Sequence, residues 1–223
     1  MLIEIADLLD RTALREIREI AERGDFVDGA VTAGYRARRV KNNNQLSKKS
    51  AAESGLGARL AGALNGNAQF RRSVLPKRIL PPLISRYAEG MAYGPHVDDA
   101  LMQKPNAVRS DVAVTIFLND ARDYDGGELV IGSPFGEQWV KLPAGAAVAY
   151  PASTLHRVAP VERGTRLVAV TWVQSYVRDP QQREILHDLD RVCRKLADSQ
   201  GEAAETDLAF KSYSNLLRMW SEP

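Results

Sequence analysis

The N-terminal part of the chain has apolar residues at helical spacing. In residues 8–23 they recur every three or four positions with charged side chains between them, and Gly24 follows as a stop signal. Residues 51–64 form a second such stretch, which ends at Asn65-Gly66. Each stretch has a single apolar face, so we expect two helices that pack on a sheet.

A polar tract, Lys41-Asn42-Asn43-Asn44-Gln45, separates the two predicted helices. Asparagine side chains hydrogen-bond the nearby backbone and favour turns, so tracts rich in amides are typical of surface loops. The sequence therefore predicts an exposed loop at this position.

From residue 78 the pattern changes to short apolar runs bounded by Gly, Pro and Asp, which predicts β-strands. The run at 79–87 contains Pro81-Pro82, which cannot donate ladder hydrogen bonds, so an edge position or a bulge is expected. The run at 112–118 is apolar on both faces, as in a central strand. Glu162-Arg163-Gly164 is predicted to fold the strand of His156 back onto the strand that follows. Further runs lie at 128–131, 138–142, 146–150 and 166–172.

The last part of the chain returns to a helical period. Asp179-Pro180 supplies a helix cap and a proline at the first helical position, and residues 181–196 and 206–220 are predicted helices. About 45 residues have too little core to be stable alone, so their apolar faces must pack on the sheet, on each other or on a second subunit. We expect a homodimer contact here. These faces comprise Ile185, Leu189, Val192, Leu196, Leu208, Leu216, Leu217 and Trp220.

Together these patterns predict a mainly β fold with flanking helices and a double-sheet jelly-roll core. Residues 1–77 are expected to support the core, with their helices packed on the sheet. Residues 78–177 are expected to form the core itself, and residues 178–223 a C-terminal two-helix lobe.

Composition narrows the class of protein. A hydrophobic content of 44% and a charged content of 26% over 223 residues are those of an ordinary globular protein. No run of 18 apolar residues occurs, and the N-terminus carries acidic residues where a signal peptide needs basic ones, so we expect a cytoplasmic protein that does not bind membranes. The single cysteine, Cys193, excludes an intramolecular disulfide and a thiolate metal site, and is expected to be a small helix residue. The basic run 36–41 lacks interleaved aromatic residues, so nucleic-acid binding is not expected.

The segment Gly94-Pro95-His96-Val97-Asp98-Asp99 places an imidazole and a carboxylate two residues apart. A strand presents residues i and i+2 on one face, so both side chains could reach one metal ion. His156 is the natural third ligand, because the remaining histidine, His187, lies in a predicted helix and is expected at its surface. Two histidines and one carboxylate cap one face of an Fe(II) ion and leave its other positions open.

Arg166 opens an apolar run ten residues after His156. In a strand it would share a face with Val168, Val170 and Trp172, which places a guanidinium among inward-facing residues. A buried guanidinium needs a partner, and its fork can bind a carboxylate through two hydrogen bonds. A dicarboxylate cosubstrate has the right chemistry.

Other interpretations of these residues exist. A His-x-Asp pair alone is more often a surface or capping arrangement. A non-enzymatic, cupin-like metal-binding or sensor protein usually has three or four histidine ligands and has no need of Arg166. A zinc hydrolase with the same triad would need a positioned base, which the sequence does not display.

The spacing of these residues resembles that of the iron(II)- and 2-oxoglutarate-dependent dioxygenases, and within them of the PKHD-type hydroxylases in the prolyl-hydroxylase-like branch. The resemblance covers nearly the whole chain. The stretches that carry it, besides the metal segment, are Arg86-Tyr87, Tyr124-Asp-Gly-Gly-Glu-Leu129, Pro151-Ala-Ser-Thr-Leu-His-Arg-Val158 and Asn215-Leu-Leu-Arg-Met-Trp220.

The resemblance implies a double-stranded β-helix with His96, Asp98 and His156 as iron ligands, and with Arg166 on the far carboxylate of 2-oxoglutarate. Tyr87 resembles the tyrosine that hydrogen-bonds the same carboxylate in that family. The alternative, that Tyr87 is only an aromatic residue packed in the sheet, has equal weight. The implied reaction consumes O2 and 2-oxoglutarate, releases succinate and CO2, and hydroxylates an unactivated C–H bond. Whether L-ascorbate is required stays open.

The resemblance says less about the substrate. It implies an amino-acid side chain in a peptide or a small molecule, and a siderophore-type ligand is conceivable, but the residues do not choose among these. The polar tract could border the substrate entrance. Thr171 and Trp172 are expected to line the pocket, and Glu128 is expected to be structural.

Overall fold

The computed structural model describes residues 1–103, 105–201 and 203–222. The strands are β1 (Ile3–Ile5), β2 (Phe26–Asp28), β3 (Lys41–Asn42), β4 (Asn44–Leu46), β5 (Pro76–Ile79), β6 (Leu83–Tyr87), β7 (Ala92–His96), β8 (Leu101–Met102), β9 (Val108–Arg109), β10 (Val112–Phe117), β11 (Tyr124–Gly126), β12 (Leu129–Ser133), β13 (Gly136–Val140), β14 (Ala147–Pro151), β15 (His156–Val158), β16 (Val161–Gly164) and β17 (Arg166–Ser175). The helices are α1 (Arg11–Arg23), α2 (Lys48–Ser54), α3 (Leu56–Gly66), α4 (Ala68–Val74), α5 (Pro180–Gln200) and α6 (Ala204–Trp220). None of the helices within these ranges has the length and hydrophobicity that crossing a bilayer requires.

Two antiparallel sheets form the core. The larger has the order β1-β14-β10-β17-β6-β4-β2, with β5 also paired to β17, and the smaller has the order β13-β12-β15-β7-β3. Apolar side chains from the two sheets meet in one buried cluster between them, to which Phe117 and Val168 contribute from the larger sheet and Leu129 and Ile131 from the smaller. This is the predicted jelly roll.

The position of strand β10 explains why its sequence is apolar on both faces. It lies between β14 and β17, and all six of its residues are buried. Val114 and Ile116 face the cluster shared with the helices, whereas Ala113 and Phe117 face the cluster between the sheets. Helices cover the outer face of the larger sheet and the smaller sheet lies over its inner face, so both faces of this strand are buried and the prediction of a central strand is confirmed.

The N-terminal helices pack on the larger sheet as expected, but with different boundaries. The carboxylate of Asp10 accepts a hydrogen bond from Ala13 N at 2.7 Å, so α1 begins later than the apolar pattern suggested. The second predicted helix is two helices, because Gly55 adopts φ 64° between α2 and α3. The third, α4, begins at the cap Asn67 and was not predicted.

Two further predictions about elements were wrong, and a third was confirmed in part. The run 79–87 is two strands, β5 and β6, rather than one, but both pair with β17 and the run has one extra residue at Pro81-Pro82, which is the expected bulge. The polar tract is not an exposed loop: it forms β3 and β4, and Asn43 and Gln45 are buried. Residues 162–164 are not a hairpin turn, since they belong to β16, which pairs with β11, while β15 and β17 lie in different sheets.

The C-terminal helices are present where predicted, and Asp179 caps α5 by accepting hydrogen bonds from Gln181 N and Gln182 N. The inward face of α5, however, comprises Arg183, Leu186, Asp190 and Cys193, whereas Ile185 and Val192 remain 50% exposed. The two charged residues can be buried because each has partners: Arg183 donates to Val177 O, and Asp190 accepts from Arg194.

Candidate active site

The candidate site lies in a cavity of about 450 Å³ that opens between the two sheets. The cavity wall includes the four residues on which the sequence analysis concentrated, namely His96, Asp98, His156 and Arg166. They come from both sheets, since β7 and β15 belong to the smaller sheet and β17 to the larger.

The three candidate metal ligands converge on one point. His96 ends β7 and is the direct antiparallel partner of His156, which begins β15. Asp98 lies in the segment just after β7, so it does not share a strand face with His96 as predicted, although its side chain reaches the same place. Its Oδ1 is 3.9 Å from His96 Nε2 and 3.8 Å from His156 Nε2. The three ligand atoms lie within 4.8 Å of one another.

Backbone carbonyls fix which nitrogen each histidine presents. His96 Nδ1 lies 2.8 Å from Gly94 O, and His156 Nδ1 lies 2.9 Å from Thr154 O. A carbonyl oxygen can only accept, so each Nδ1 carries the hydrogen and each Nε2 faces Asp98 with a free lone pair. Both imidazoles are therefore oriented to bind a metal through Nε2.

Burial tunes the protonation of these groups. Burial, and next the neighbouring His156, lowers the pKa of His96 to about 3, so this imidazole is neutral at physiological pH, as a metal ligand must be. Burial raises the pKa of Asp98, and a divalent cation against its oxygens would hold it ionised. Two tyrosines hold the imidazole rings in place: Tyr93 stacks on His96 with ring centres 3.6 Å apart, and Tyr150 meets His156 edge-on at 5.2 Å.

Arg166 is the largest fully buried side chain that lines this cavity. It is 1% exposed, and no residue in the described part of the chain hydrogen-bonds its Nε or Nη2. Its Cζ lies 5.1 Å from the ring centre of Tyr87, its strand partner, and 5.8 Å from that of Phe117. The hydroxyl of Tyr124 lies beside the guanidinium and likewise lacks a hydrogen-bond partner among the residues that the structure describes. A buried cation with free donors fits a carboxylate ligand.

The cavity wall also includes Tyr87, Thr171 and Trp172, as the sequence predicted for the last two. The buried indole nitrogen of Trp172 has no hydrogen-bond partner within the described ranges, whereas the Thr171 hydroxyl donates to Leu80 O at 2.5 Å. Glu128 pairs with Lys141 at 3.7 Å. His187 lies on α5, as expected, and is half-buried: its Nδ1 lies 3.0 Å from Ser73 Oγ, and burial lowers its pKa.

The polar tract borders the cavity, as expected for a segment at the substrate entrance, but as part of two strands rather than a loop: Lys41, Asn43 and Gln45 form a polar wall of the cavity. The three residues alternate along the chain, so in the extended segment of β3 and β4 they share one face. That alternation was visible in the tract, but the amide composition favoured a loop. Burial lowers the pKa of Lys41 to about 8, and Asp98 and Asp28 oppose this shift.

Comparisons with known proteins agree with this geometry. Residues 82–174 match the model of the 2OG-Fe(II) oxygenase superfamily, and residues 180–222 match the PKHD-type hydroxylase C-terminal domain. A PKHD-type hydroxylase of Picosynechococcus sp. is 50% identical over 222 residues, covering 100% of both chains.

Solved structures support the fold. A prolyl-4-hydroxylase of Pseudomonas putida has a TM-score of 0.52 at 21% identity, over 78% of this chain and 92% of that one. HygX of Streptomyces hygroscopicus, solved with nickel and 2-oxoglutarate bound, has a TM-score of 0.54 at 16% identity, over 79% and 84% of the two chains.

Sequence identity to the full-length relatives is much higher than to the solved structures, so the family assignment rests on those relatives. The donor set of two imidazoles and a carboxylate suits iron(II), and the buried guanidinium of Arg166 suits the dicarboxylate that the superfamily uses together with O2. The resemblance seen in the sequence is thus confirmed: the chain belongs to the PKHD-type hydroxylases and is an iron(II)- and 2-oxoglutarate-dependent hydroxylase.

Proposed function

We propose that His96, Asp98 and His156 hold a single iron(II), and that Arg166 and Tyr87 hold the distal carboxylate of 2-oxoglutarate. One observation carries the proposal: three ligand atoms within 4.8 Å of one another share a cavity with a buried guanidinium whose Nε and Nη2 have no hydrogen-bond partner in the described part of the chain. The bound iron and 2-oxoglutarate would supply the oxidation of a C–H bond by O2, for which no protein side chain suffices.

The side chains have definite tasks in this proposal. The carbonyls of Gly94 and Thr154 hold the two histidines in the metal-binding tautomer. Arg166 orients the cosubstrate by a two-point contact. Tyr93 and Tyr150 pack against the imidazoles and keep water from that side of the site.

We propose that the substrate is an amino-acid side chain, either in a peptide or in a small molecule such as a siderophore-type ligand. Family membership and a cavity of about 450 Å³, a typical size for a small-molecule site, support this class. A cytoplasmic location and the lack of nucleic-acid and membrane partners stay predictions from the sequence, as does the division at residues 77 and 177.

We also propose that the C-terminal lobe carries a homodimer contact. Ile185 and Val192 are seven residues apart, so they lie on the same face of α5, and each is 50% exposed. On α6, Leu208 and Met219 share a face in the same way and are 58% and 74% exposed.

The decisive experiment is aerobic turnover with iron(II), 2-oxoglutarate and a panel of metabolites and peptides. We expect succinate release to rise with one class of compound, and mass spectrometry to find one added oxygen in it. His156→Ala should abolish both signals and lower the bound iron in elemental analysis, because one of three ligands is lost. His187→Ala is the matched control and should keep its iron. Full activity in His156→Ala, or activity independent of 2-oxoglutarate, would refute the proposal.

A further inference from the structure

The polar wall formed by Lys41, Asn43 and Gln45 lines the same cavity, but the proposed function gives it no part in holding iron or 2-oxoglutarate. Gln45 is fully engaged, since its Oε1 accepts from Thr32 Oγ1 at 2.6 Å and its Nε2 donates to Ser85 Oγ at 3.2 Å. It therefore serves to fix the wall in position.

Asn43 is different, because it is 3% exposed and neither of its amide atoms has a hydrogen-bond partner among the described residues. The amide lies beside the Tyr87 hydroxyl without reaching hydrogen-bond geometry. A buried amide without partners costs free energy unless a ligand supplies them. Asn43 thus marks a place where a polar ligand group belongs.

Lys41 brings a positive charge to the same wall. In the described part of the chain its ammonium bonds the Thr32 hydroxyl at 3.0 Å and no carboxylate, which leaves donors free. The ammonium lies 5.2 Å from the ring centre of Tyr93, and Tyr93 in turn stacks on His96. Lys41 is therefore separated from a candidate iron ligand by one aromatic ring.

The approach to this wall is also basic. Residues 31–34 and Ala37 border the cavity, and the same segment carries Arg36, Arg38 and Arg39 with no acidic residue among them. Asp99 also lines the cavity beside Gly34, so the three arginines add positive charge near the mouth without making it of one sign.

We propose that Lys41 and Asn43 form a substrate subsite that binds a carboxylate of the compound to be hydroxylated. The reacting carbon would lie toward His96, separated from this carboxylate by about the width of one aromatic ring. This inference rests on the proposed function for the identity of the neighbouring site. It narrows the substrate class to acids, whether the carboxylate belongs to a free small molecule or to a peptide.

The test measures binding rather than turnover. Protein loaded with nickel(II), which does not react with O2, and with 2-oxoglutarate to fill the Arg166 contact, is titrated with N-acetyl amino acids and with their neutral amides. NMR gives the dissociation constants. We expect at least one acid to bind roughly tenfold or more tighter than its amide, as a charged hydrogen bond predicts. Acid-terminated tripeptides and their amides form a second arm, which distinguishes a peptide from a free acid.

Lys41→Met should bring the ratio of the dissociation constants of amide and acid to about one. Lys41→Arg should keep most of this ratio, since a cation remains. Lys49→Met is the matched control, because Lys49 is exposed on α2 and does not border the cavity. Asn43→Leu should weaken the acids without changing iron binding.

Two results would overturn the inference. If no acid outcompetes its amide in the wild-type protein, there is no carboxylate subsite. If Lys41→Met instead weakens 2-oxoglutarate and leaves the ratio unchanged, Lys41 serves the cosubstrate. Neither result depends on succinate release, so a failure of the proposed function would be seen separately.

Discussion

At the scale of single residues, Arg166 is the most unusual group in the molecule. A guanidinium that is 1% exposed, with two nitrogen atoms that no described residue hydrogen-bonds, is destabilising by itself, because the desolvation of its charge is not offset. Such a residue is retained for a ligand. Removing the Arg166 side chain should therefore raise the free energy of unfolding and weaken the binding of 2-oxoglutarate.

Arg166→Met removes the charge and keeps most of the volume. We expect 2-oxoglutarate binding to weaken about 10- to 150-fold, which corresponds to the 1.5–3 kcal/mol of a charged hydrogen bond. The cofactor-free protein should gain roughly 1 kcal/mol or more in its free energy of unfolding. Calorimetric titration of the nickel(II) form and urea unfolding measure the two effects.

Two variants serve as comparisons for this prediction. Arg166→Lys keeps the charge but loses the fork, so its 2-oxoglutarate affinity should stay below that of the wild type. Arg163→Met, at an exposed arginine paired with Asp125, should change neither quantity measurably. Unchanged 2-oxoglutarate affinity in Arg166→Met would make the arginine a structural residue.

The residues of the site differ in how far the sequence could predict them. His96, Asp98, His156 and Arg166 could be found because few residue types bind iron or a carboxylate, and because only three histidines exist. Lys41 and Asn43 could not, since amides and lysines are common in loops and the pairing of β3 with β7 and of β4 with β6 turns that tract inward. Local propensity was overridden there by tertiary contacts.

At the scale of elements, two glycines let the β11–β12 connection pass behind the site. Gly126 and Gly127 have φ values of 68° and 67°, a left-handed conformation that other residues adopt at a cost. A Cβ on Gly127 would come within 3.1 Å of Arg166 Cδ and 3.0 Å of Val161 Cγ2. The glycine pair in the family-like stretch 124–129 thus has a structural reason.

Gly127→Ala should therefore affect both stability and the site. We expect a loss of about 1–2 kcal/mol in the free energy of unfolding from the left-handed backbone, together with weaker 2-oxoglutarate binding because Arg166 must shift. Gly55→Ala is the matched control, since Gly55 has φ 64° and open space around it. It should lose a similar amount of stability in urea unfolding and keep its 2-oxoglutarate affinity. Equal affinity in both variants would contradict this account.

Elements were predictable where their periodicity was sustained and were not where a single residue interrupted it. The apolar run of β10 and the capped start of α5 follow directly from composition and spacing. The break at Gly55 could not be predicted, because a glycine inside an apolar helical pattern is compatible with either a continuous helix or a cap. The Pro81-Pro82 pair likewise signalled an irregularity but not that β5 and β6 are separate strands.

At the scale of the whole molecule, the connection between the two sheets could not be predicted from the sequence. Glycine-containing segments such as 162–164 look like hairpin turns, and only the pairing of β16 with β11 shows that the chain crosses from one sheet to the other there. That crossing is what brings Arg166 from the larger sheet to the histidines of the smaller one. The site therefore depends on long-range pairing.

The C-terminal lobe raises the last question at this scale, which is what covers its exposed apolar residues. The inward face of α5 uses Leu186 and Cys193, so the stripe of Ile185 and Val192 is left half exposed. Aliphatic side chains of this size stabilise an interface by about 1.5–3 kcal/mol when fully buried, so half of that gain is still available for each. A second copy of the chain can supply the apolar partner through a two-fold contact.

We expect the wild-type protein to be a dimer at micromolar concentration in light scattering. The double variant Ile185→Glu/Val192→Glu should weaken dimerisation at least about tenfold, because burying an unpaired carboxylate is costly. Phe135→Glu is the matched control, since Phe135 is 99% exposed at the β12–β13 hairpin, far from the lobe in the chain, and the substitution should leave the dimer intact. Succinate release should continue in the double variant, because every residue proposed for the site comes from a single chain. A wild-type monomer at these concentrations would end the dimer proposal and leave the assignment of the active site untouched.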